Sequence, residues 1–165
     1  MLTLLIIGAG GHGHVCAEVA QACGYDKIDF LDDNPGEGVV GSIEGLELWL
    51  DQYDEYFVGI GSNEFRRHLI GRLEKNGVRI ATLIHPSAYI SPRAKIGAGT
   101  IIAPKAAVNT NSVIGKACIL SIGAIVDHDA NIGDFAHINA GAICKGGSVV
   151  EAGKKLEAGE VVRGY

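Results

Sequence analysis

His128 stands between Asp127 and Asp129, and a histidine flanked by carboxylates is suited to proton transfer. The unperturbed pKa of histidine, about 6.5, lies near working pH, so the imidazole can take a proton from an attacking amine or hydroxyl. A neighbouring carboxylate can fix the tautomer of the ring and stabilise the imidazolium that forms. These features predict a general base; a solvated surface histidine without a role is the alternative.

A glycine-rich loop near the start of the chain is the second candidate site. Gly8, Gly10 and Gly13 match the pattern G-x-G-x-x-G between an apolar run and a helical segment, where backbone N–H groups can approach a phosphate. Asp32 and Asp33 follow about twenty residues later, where an acidic side chain can meet a ribose or a base edge. A dinucleotide fold needs a second nucleotide-binding half, for which this part of the chain is too short. The loop predicts a nucleotide or nucleotide-sugar site, with a purely structural glycine turn as the alternative.

The elements that position the loop alternate between strand and helix patterns. Strands are predicted over residues 3–7, 27–31, 56–60 and 78–83, and helices over residues 14–23 and 64–76. The second helix carries apolar residues at helical spacing, namely Phe65, Leu69, Ile70 and Leu73. Strand–helix–strand units imply a small parallel sheet. Residues 1–80 are therefore predicted to form a Rossmann-like α/β domain that binds the nucleotide sugar.

The rest of the chain carries a six-residue repeat. Fourteen positions spaced six apart are large and aliphatic apart from one cysteine: Ile84, Ile90, Ile96, Ile102, Val108, Ile114, Leu120, Val126, Ile132, Ile138, Cys144, Val150, Leu156 and Val162. The residue two places before each is small as far as Ser148. An amphipathic helix would need apolar residues three and four positions apart, and a single strand would need apolar and polar residues in alternation. One large and one small inward residue per six predict the face of a three-sided coil with an 18-residue turn. Residues 84–165 are therefore predicted to form a parallel β-helix.

Composition narrows the function classes. Fourteen basic and 19 acidic residues give a net charge of −5, which argues against a nucleic-acid or anionic-membrane surface. No apolar stretch reaches the roughly 18 residues of a membrane span, and the first residues lack the features of a signal peptide. The four cysteines (Cys16, Cys23, Cys118 and Cys144) show no paired spacing, which predicts reduced thiols and a cytoplasmic location.

Taken together, these features resemble one family. The segments that carry the resemblance are IIGAGGHG (6–13), FLDD (30–33), GIGSNE (59–64), LIHPSA (83–88), VDHD (126–129) and IGDFAH (132–137). In this order, over residues 1–147, they resemble the sugar O- and N-acetyltransferases typified by bacterial PglD and the NeuD sialic acid acetyltransferases. The resemblance implies acetyl-CoA as co-substrate, no metal, a homotrimer, and acetyl transfer to an amine or hydroxyl of a nucleotide-linked sugar in surface-glycan biosynthesis. The left hand of the β-helix also comes from the repeat family, as an exception to the right-handed crossover rule.

The resemblance also implies roles for single residues. The nucleotide would be held by Gly10, Gly11, His12, Asp32 and Asp33, with Gly61 near the sugar. His128 would be the general base, and Asp129 would raise its basicity from a position that is glutamate in PglD-like members. His137 would contact acetyl-CoA, and the backbone N–H of Gly146 would face the oxyanion. Ser121 stands where the PglD-like pattern has an asparagine near the sugar, which leaves the acceptor open.

The spacing of two histidines bears on assembly. His128 and His137 are nine residues apart, half of an 18-residue turn, so they project from different sides of the coil and cannot converge within one chain. If both serve one site, that site lies between subunits and the enzyme is an obligate trimer.

The end of the chain departs from the pattern, because Lys154 and Glu160 occupy inward positions that are otherwise small. Burying either charge unpaired is costly, so the last coil is predicted to be distorted, frayed or a cap that lets both heads reach water. Family members usually continue for several more coils, so the C-terminus is expected to be shortened and CoA binding or catalysis weakened.

A non-catalytic nucleotide-sugar-binding or scaffold protein is one alternative function. A zinc hydratase is another, but it needs three converging histidines and only His128 and His137 are available.

Overall fold

The computed structural model describes all residues, 1–165. Its internal contacts divide the chain into two compact units, Met1–Ala81 and Thr82–Tyr165.

The first unit is built on a four-stranded parallel sheet. Its strands are β1 (Thr3–Ile7), β2 (Lys27–Leu31), β3 (Val39–Gly41) and β4 (Glu55–Val58), in the order β3-β2-β1-β4. The apolar run of β1 forms the central strand, and its last four residues are fully buried. This agrees with the expectation that a continuous apolar run lies inside a parallel sheet.

Two α-helices flank the sheet, α1 (Gly11–Ala22) and α2 (Asn63–Lys75), and a 3₁₀ turn lies at Leu46–Trp49. Helix α1 begins three residues before the predicted start, because the glycine loop itself enters the helix with Gly10 as its N-cap. Helix α2 agrees within one residue with the prediction, and the Ser62 hydroxyl caps it by accepting a hydrogen bond from the Phe65 N–H at 3.3 Å.

The predicted strand over residues 78–83 is wrong as a continuous element. Its first part makes one bridge, in which the Tyr56 N–H donates to Arg79 and the Ala81 N–H donates to Tyr56. Its last residue instead begins β5 (Leu83–Ile84), which pairs with a later strand of the second unit. The two ends belong to different sheets, so no single strand spans them. The sequence analysis also missed β3, which is short and joins β2 with an irregular register.

The second unit contains thirteen two-residue strands with the predicted six-residue spacing, except that the place between the last two strands holds only a single bridge, between His137 and Lys155. After β5 they are β6 (Tyr89–Ile90), β7 (Lys95–Ile96), β8 (Ile101–Ile102), β9 (Ala107–Val108), β10 (Val113–Ile114), β11 (Ile119–Leu120), β12 (Ile125–Val126), β13 (Asn131–Ile132), β14 (His137–Ile138), β15 (Ile143–Cys144), β16 (Val149–Val150) and β17 (Val161–Val162). They form three parallel sheets, β5-β8-β11-β14, β6-β9-β12-β15-β17 and β7-β10-β13-β16. Paired residues are 18 apart, as in Val113 and Asn131, so the predicted three-sided turn is confirmed.

The aliphatic repeat residues fill the coil, and from Ile102 to Cys144 they are at most 1% exposed. Several of the small inward residues bond to the next coil. The Ser112 hydroxyl donates to the carbonyl of Asp127 at 2.5 Å and accepts from the Ala130 N–H at 3.1 Å, which ties down both ends of the 127–130 corner. Ser148 occupies the equivalent place two turns later, but its buried hydroxyl has no hydrogen-bond partner.

This difference between two buried serines gives a stability prediction. Ser112→Ala leaves a partly buried carbonyl and a buried N–H unpaired and should lower the free energy of unfolding by about 1–3 kcal/mol. Ser148→Ala removes a hydroxyl that bonds to nothing and should be neutral or stabilising. Urea unfolding of both variants checks the pair, and equal destabilisation would contradict it.

The corners between the strands share one backbone feature. Every sixth residue from 99 to 159 has a positive φ, and six of these eleven residues are glycine. Asp129, with φ 57°, is one of the five that are not. An aspartate tolerates this left-handed conformation better than most residues.

The end of the coil keeps its register despite Lys154 and Glu160. Their carbonyls accept hydrogen bonds from His137 and Ile143 at 2.8 Å, and β17 pairs with β15. Both side chains border a cavity of about 340 Å³, and Lys154 is exposed whereas Glu160 is half-buried. Neither charge is sealed in the core, and the last coil is not frayed. None of the helices in the structure combines the length and apolarity that crossing a bilayer requires.

Candidate active site

His128 lies at the corner after β12, with its side chain 42% exposed. Its Nδ1 is 2.8 Å from Oδ2 of Asp129. A carboxylate only accepts hydrogen bonds, so the proton of the neutral ring lies on Nδ1 and the lone pair lies on Nε2. Nε2 is therefore the atom that can take a proton from a substrate.

Asp129 is itself oriented from the previous coil. Asn111 donates from Nδ2 to the second carboxylate oxygen of Asp129 at 3.1 Å, and Arg93 donates from Nε to Asn111 at 2.9 Å. These three residues are spaced 18 apart and stack at one corner of successive coils. The sequence analysis did not single out Arg93 or Asn111, although the 18-residue period would have found them.

Asp127 is held in the same way. It accepts hydrogen bonds from Nδ2 of Asn109, 18 residues earlier, at 2.9 Å and from the His128 N–H at 2.7 Å. Both contacts lower the pKa of this carboxyl, so it stays ionised. A second fixed negative charge therefore lies beside the imidazole.

The carboxylates raise the pKa of His128 above its ordinary value. The hydrogen bond to Asp129 contributes most, and the charges of Asp127 and Asp129 add to it. A raised pKa makes Nε2 a stronger base for the proton of an attacking group.

The pH dependence of any reaction that uses this base follows from the sign of the shift. Neutral imidazole is the active form, so kcat/KM should fall as the pH drops through the pKa of His128, which lies above 6.5. Asp129→Asn removes the largest cause of the shift and should move this acid limb to lower pH, with a lower plateau rate. A pH–rate profile of both proteins checks this, with Asp26→Asn, far from the coil in sequence, as a control. An unmoved acid limb in Asp129→Asn would contradict it.

Gly146 lies one turn after His128 and packs against the imidazole. A Cβ at this position would stand 2.8 Å from both Cε1 and Nε2 of the ring. The neighbouring N–H groups of Lys145 and Gly147 bond to Val162 and His128, whereas the N–H of Gly146 makes no backbone hydrogen bond. The structure therefore brings together the three predicted catalytic residues, and the N–H of the third is not used by the backbone ladder.

His137 and Ser121 form a separate pair. Oγ of Ser121 is 3.0 Å from Nε2 of His137; Ser121 directly follows β11, and His137 begins β14, which pairs with β11. His137 is 9% exposed within the single chain. Ser121 was expected near the sugar and His137 at acetyl-CoA, and their side chains contact each other and not His128.

The glycine loop of the first unit shows two kinds of glycine. Gly8 has φ 106°, and a Cβ on Gly13 would stand 2.0 Å from the Gly8 carbonyl oxygen, so these two allow a tight turn and close packing of α1. Nothing lies within 4 Å of a Cβ on Gly10 or Gly11, so a ligand can approach the backbone there. This division is the one that the phosphate-binding fingerprint requires.

A cavity of about 150 Å³ adjoins the loop and brings Gly10 and Asp32 together. His14, to which the sequence analysis gave no nucleotide role, also lines it. Asp32 braces the loop, because Oδ2 accepts from the Ala9 N–H and Oδ1 from the Asn34 N–H, each at 2.8 Å, and these bonds lower its pKa. Asp33 accepts from the Ile43 N–H at 3.1 Å. Both carboxylates thus have structural contacts besides any that a nucleotide would make.

His12 and Gly61 lie apart from the residues that line this cavity. Burial, reinforced by the charge of Arg66, lowers the pKa of His12 to about 4, and Nε2 lies 3.5 Å from Sγ of Cys16. The ring is therefore neutral at working pH. Nothing lies within 4 Å of a Cβ placed on Gly61, and the Gly61 carbonyl accepts a hydrogen bond from Nη1 of Arg66 at 3.4 Å.

Arg66 was not among the predicted functional residues, and Phe65 was the residue grouped with the apolar positions of α2. Phe65 is 39% exposed and Arg66 is 1% exposed. Arg66 is three, four and seven residues before Leu69, Ile70 and Leu73, so helical spacing places it on their face. Its guanidinium bonds to the Ile60 carbonyl at 3.0 Å and to Oδ1 of Asn63 at 2.8 Å, which holds the 59–63 turn beside the glycine loop.

Comparisons with known proteins bear on both units. Residues 3–73 match the PglD N-terminal domain. The acetyltransferase domain of PglB from Neisseria gonorrhoeae is 32% identical and superposes with a TM-score of 0.81, over 99% of this chain and 92% of that domain. The chain belongs to the PglD-like family of sugar acetyltransferases.

Two further proteins extend the comparison. PerB from Caulobacter crescentus, solved in complex with CoA and GDP-perosamine, is 29% identical with a TM-score of 0.85, over 98% of this chain and 89% of PerB. A UDP-N-acetylbacillosamine N-acetyltransferase of Bacillus subtilis is 30% identical over 112 residues, 60% of this chain. The matched region spans half the length of that relative.

Proposed function

We propose that this PglD-like protein is an acetyl-CoA-dependent acetyltransferase that acetylates an amino group of a nucleotide-linked sugar in surface-glycan biosynthesis. The observation that carries the proposal is the arrangement of His128, hydrogen-bonded to an oriented Asp129 and packed against the Gly146 backbone. A base and an N–H donor side by side are what acyl transfer from a thioester needs.

The residues divide the reaction between them. The amine nitrogen of the sugar attacks the carbonyl carbon of the thioester, and Nε2 of His128 takes the proton that the nitrogen loses. The N–H of Gly146 donates to the oxyanion of the tetrahedral intermediate. When the intermediate collapses, the C–S bond breaks and the sulfur of CoA leaves with the proton that His128 returns. Asp129 keeps its own charge and stabilises the imidazolium between the two proton transfers.

We assign the two substrates to different parts of the chain. Residues 1–80 form the Rossmann-like domain that binds the nucleotide sugar, through the open backbone at Gly10 and Gly11 and through His12, Asp32, Asp33 and Gly61. Residues 84–165 form the left-handed β-helix that binds acetyl-CoA, with His137 at the acetyl-CoA and Ser121 near the sugar. The fingerprint geometry of the glycine loop supports the first assignment, and the CoA complex of PerB supports the second.

The assembly we propose is a homotrimer with its active site between subunits. The support is positional, because His128 follows β12 on one sheet whereas His137 begins β14 on another, and the two side chains have separate partners. Full activity in an isolated monomer would contradict it.

The location we propose is the reducing cytoplasm. The four free cysteines support this proposal.

An amine acceptor is preferred to a hydroxyl because the relatives are named as N-acetyltransferases and one was solved with an amino sugar, GDP-perosamine. O-acetylation of the NeuD type is the alternative reaction, and non-catalytic nucleotide-sugar binding is the alternative function.

The test is calorimetry and thiol release from acetyl-CoA with a panel of UDP- and GDP-linked 4-amino sugars, and with the matching 4-hydroxy sugars. The proposal predicts binding and thiol release with at least one amino sugar and none with its hydroxy partner. Release with the hydroxy sugars alone would favour O-acetylation. Binding without any thiol release would favour the non-catalytic alternative.

A further inference from the structure

The corner that carries His128 continues to the last residue of the sequence. Residues spaced 18 apart stack at this corner, so Asp129, Gly147 and Tyr165 follow one another in successive coils, as do His128, Gly146 and Gly164. The coil between the histidine and the tyrosine therefore presents two adjacent glycines. Without side chains there, Tyr165 can reach back across a whole turn.

The tyrosine makes this contact. Its hydroxyl oxygen lies 3.1 Å from Nδ1 of His128, and the two ring centroids are 6.1 Å apart at a tilt of 46°. Nδ1 thus faces two oxygens, that of Tyr165 and Oδ2 of Asp129 at 2.8 Å.

The backbone beneath the ring is shaped to receive it. A Cβ on Gly147 would stand 2.0 Å from two carbons of the Tyr165 ring, and a Cβ on Gly164 would stand 1.7 Å from the Gly146 carbonyl oxygen. Any side chain at either position would displace the tyrosine. Tyr165 is 89% exposed even with this contact. It therefore contributes little to the core, and its removal should leave the coil intact.

We propose that Tyr165 is a positioning residue for His128, which holds the imidazole from the Nδ1 side so that Nε2 points along the Gly146 backbone towards the reacting atoms. The inference rests on the proposed function. Asp129 fixes the proton on Nδ1. The Nδ1–H then makes a bifurcated hydrogen bond, to the carboxylate of Asp129 and to the hydroxyl oxygen of Tyr165. The ring, seated on Gly147, restricts rotation of the imidazole away from Gly146.

The first test separates the hydroxyl from the ring. Tyr165→Phe removes one exposed hydrogen bond, for which a loss of about threefold in kcat with unchanged KM is expected. The acid limb of its pH–rate profile should move to lower pH, because the imidazolium loses an acceptor. Tyr165→Ala removes the ring as well and should lower kcat by about tenfold. Unchanged kcat and pH profile in both variants, or a faster Tyr165→Phe enzyme, would overturn the proposal.

The second test displaces the tyrosine without changing it. Gly147→Ala should reproduce the kcat of Tyr165→Ala, and the double variant should show no further loss, because both changes remove one interaction. Gly159→Ala is the matched control: it has the same φ of 70° but nothing within 4 Å of the added Cβ. It should share the backbone strain of Gly147→Ala and keep the wild-type kcat. Additive losses in the double variant would overturn the proposal.

Imidazole NMR of the protein without substrates distinguishes this inference from the proposed function. His128 is identified by the signal lost in His128→Ala, and its tautomer and titration are compared in wild type and Tyr165→Phe. A changed titration with no acetyl transfer by any variant would refute the enzyme activity and leave the contact standing. An unchanged tautomer and titration would refute the role of Tyr165, whatever the activity.

Discussion

His128→Ala should lower kcat for acetyl transfer by a factor of about 10²–10⁴, the usual contribution of a positioned general base. The KM values for acetyl-CoA and the nucleotide sugar should change little, because in the proposed mechanism the imidazole takes the proton of the attacking nitrogen and does not bind the ground-state complex. The stability of the coil should also persist, since His128 lies outside the core that Val126 and its repeat partners fill. Steady-state kinetics of thiol release measures the effect.

The matched control is His68→Ala, a surface histidine on α2 in the other unit, which stacks on Phe65 and contacts neither candidate site. It should keep the wild-type kcat. Equal turnover of wild type and His128→Ala would remove His128 as the base. A large rise in KM with unchanged kcat would make it a binding residue instead.

Gly146→Ala should lower kcat by about 10²-fold. The added Cβ would stand 2.8 Å from Cε1 and Nε2 of His128, so the imidazole must move away from the N–H with which the proposed mechanism pairs it. A shift of about 1 Å in a reacting group costs about this much, and loss of one oxyanion donor costs about 10²–10³-fold. The melting temperature should hardly change, because φ of Gly146 is not positive and the group displaced is an exposed side chain.

Gly141→Ala is the opposite case and serves as the control. Gly141 lies at a corner with φ 64° and has nothing within 4 Å of an added Cβ. Alanine there should lower the free energy of unfolding by about 1–2 kcal/mol through backbone strain and leave kcat unchanged. Parallel kinetics and thermal melts therefore separate strain from chemistry. A Gly146→Ala protein that is unstable yet fully active would contradict the predicted geometry.

The repeat made most of the second unit predictable from the sequence. One large residue in six fixed the strands, and the 18-residue turn follows from three faces of six. Periodicity cannot predict how the charged residues Lys154 and Glu160 fit at positions that are otherwise small, because their accommodation depends on the cavity that both side chains border. In the first unit the apolar strands were predictable, whereas β3 was not, since three residues at a sheet edge carry too little pattern.

The candidate sites were predictable as residue types and less so as contacts. His128, Asp129 and Gly146 come together because 18 residues make one turn, and the same period contains Asn111, Gly147 and Tyr165. The burial of His137 against Ser121 depends on packing that spacing does not encode. Arg66 was not predictable for a different reason. An arginine on a helix is usually exposed to solvent, and the sequence does not show that this guanidinium bonds to backbone carbonyls.

The most direct test of the central claim is the mass spectrum of a nucleotide-linked amino sugar after incubation with acetyl-CoA and the protein. The proposed function predicts that the sugar gains one acetyl group on its amine with wild type, and that the product is lost or strongly reduced with His128→Ala. An unmodified sugar with wild type, under conditions where calorimetry shows that both substrates bind, would contradict it.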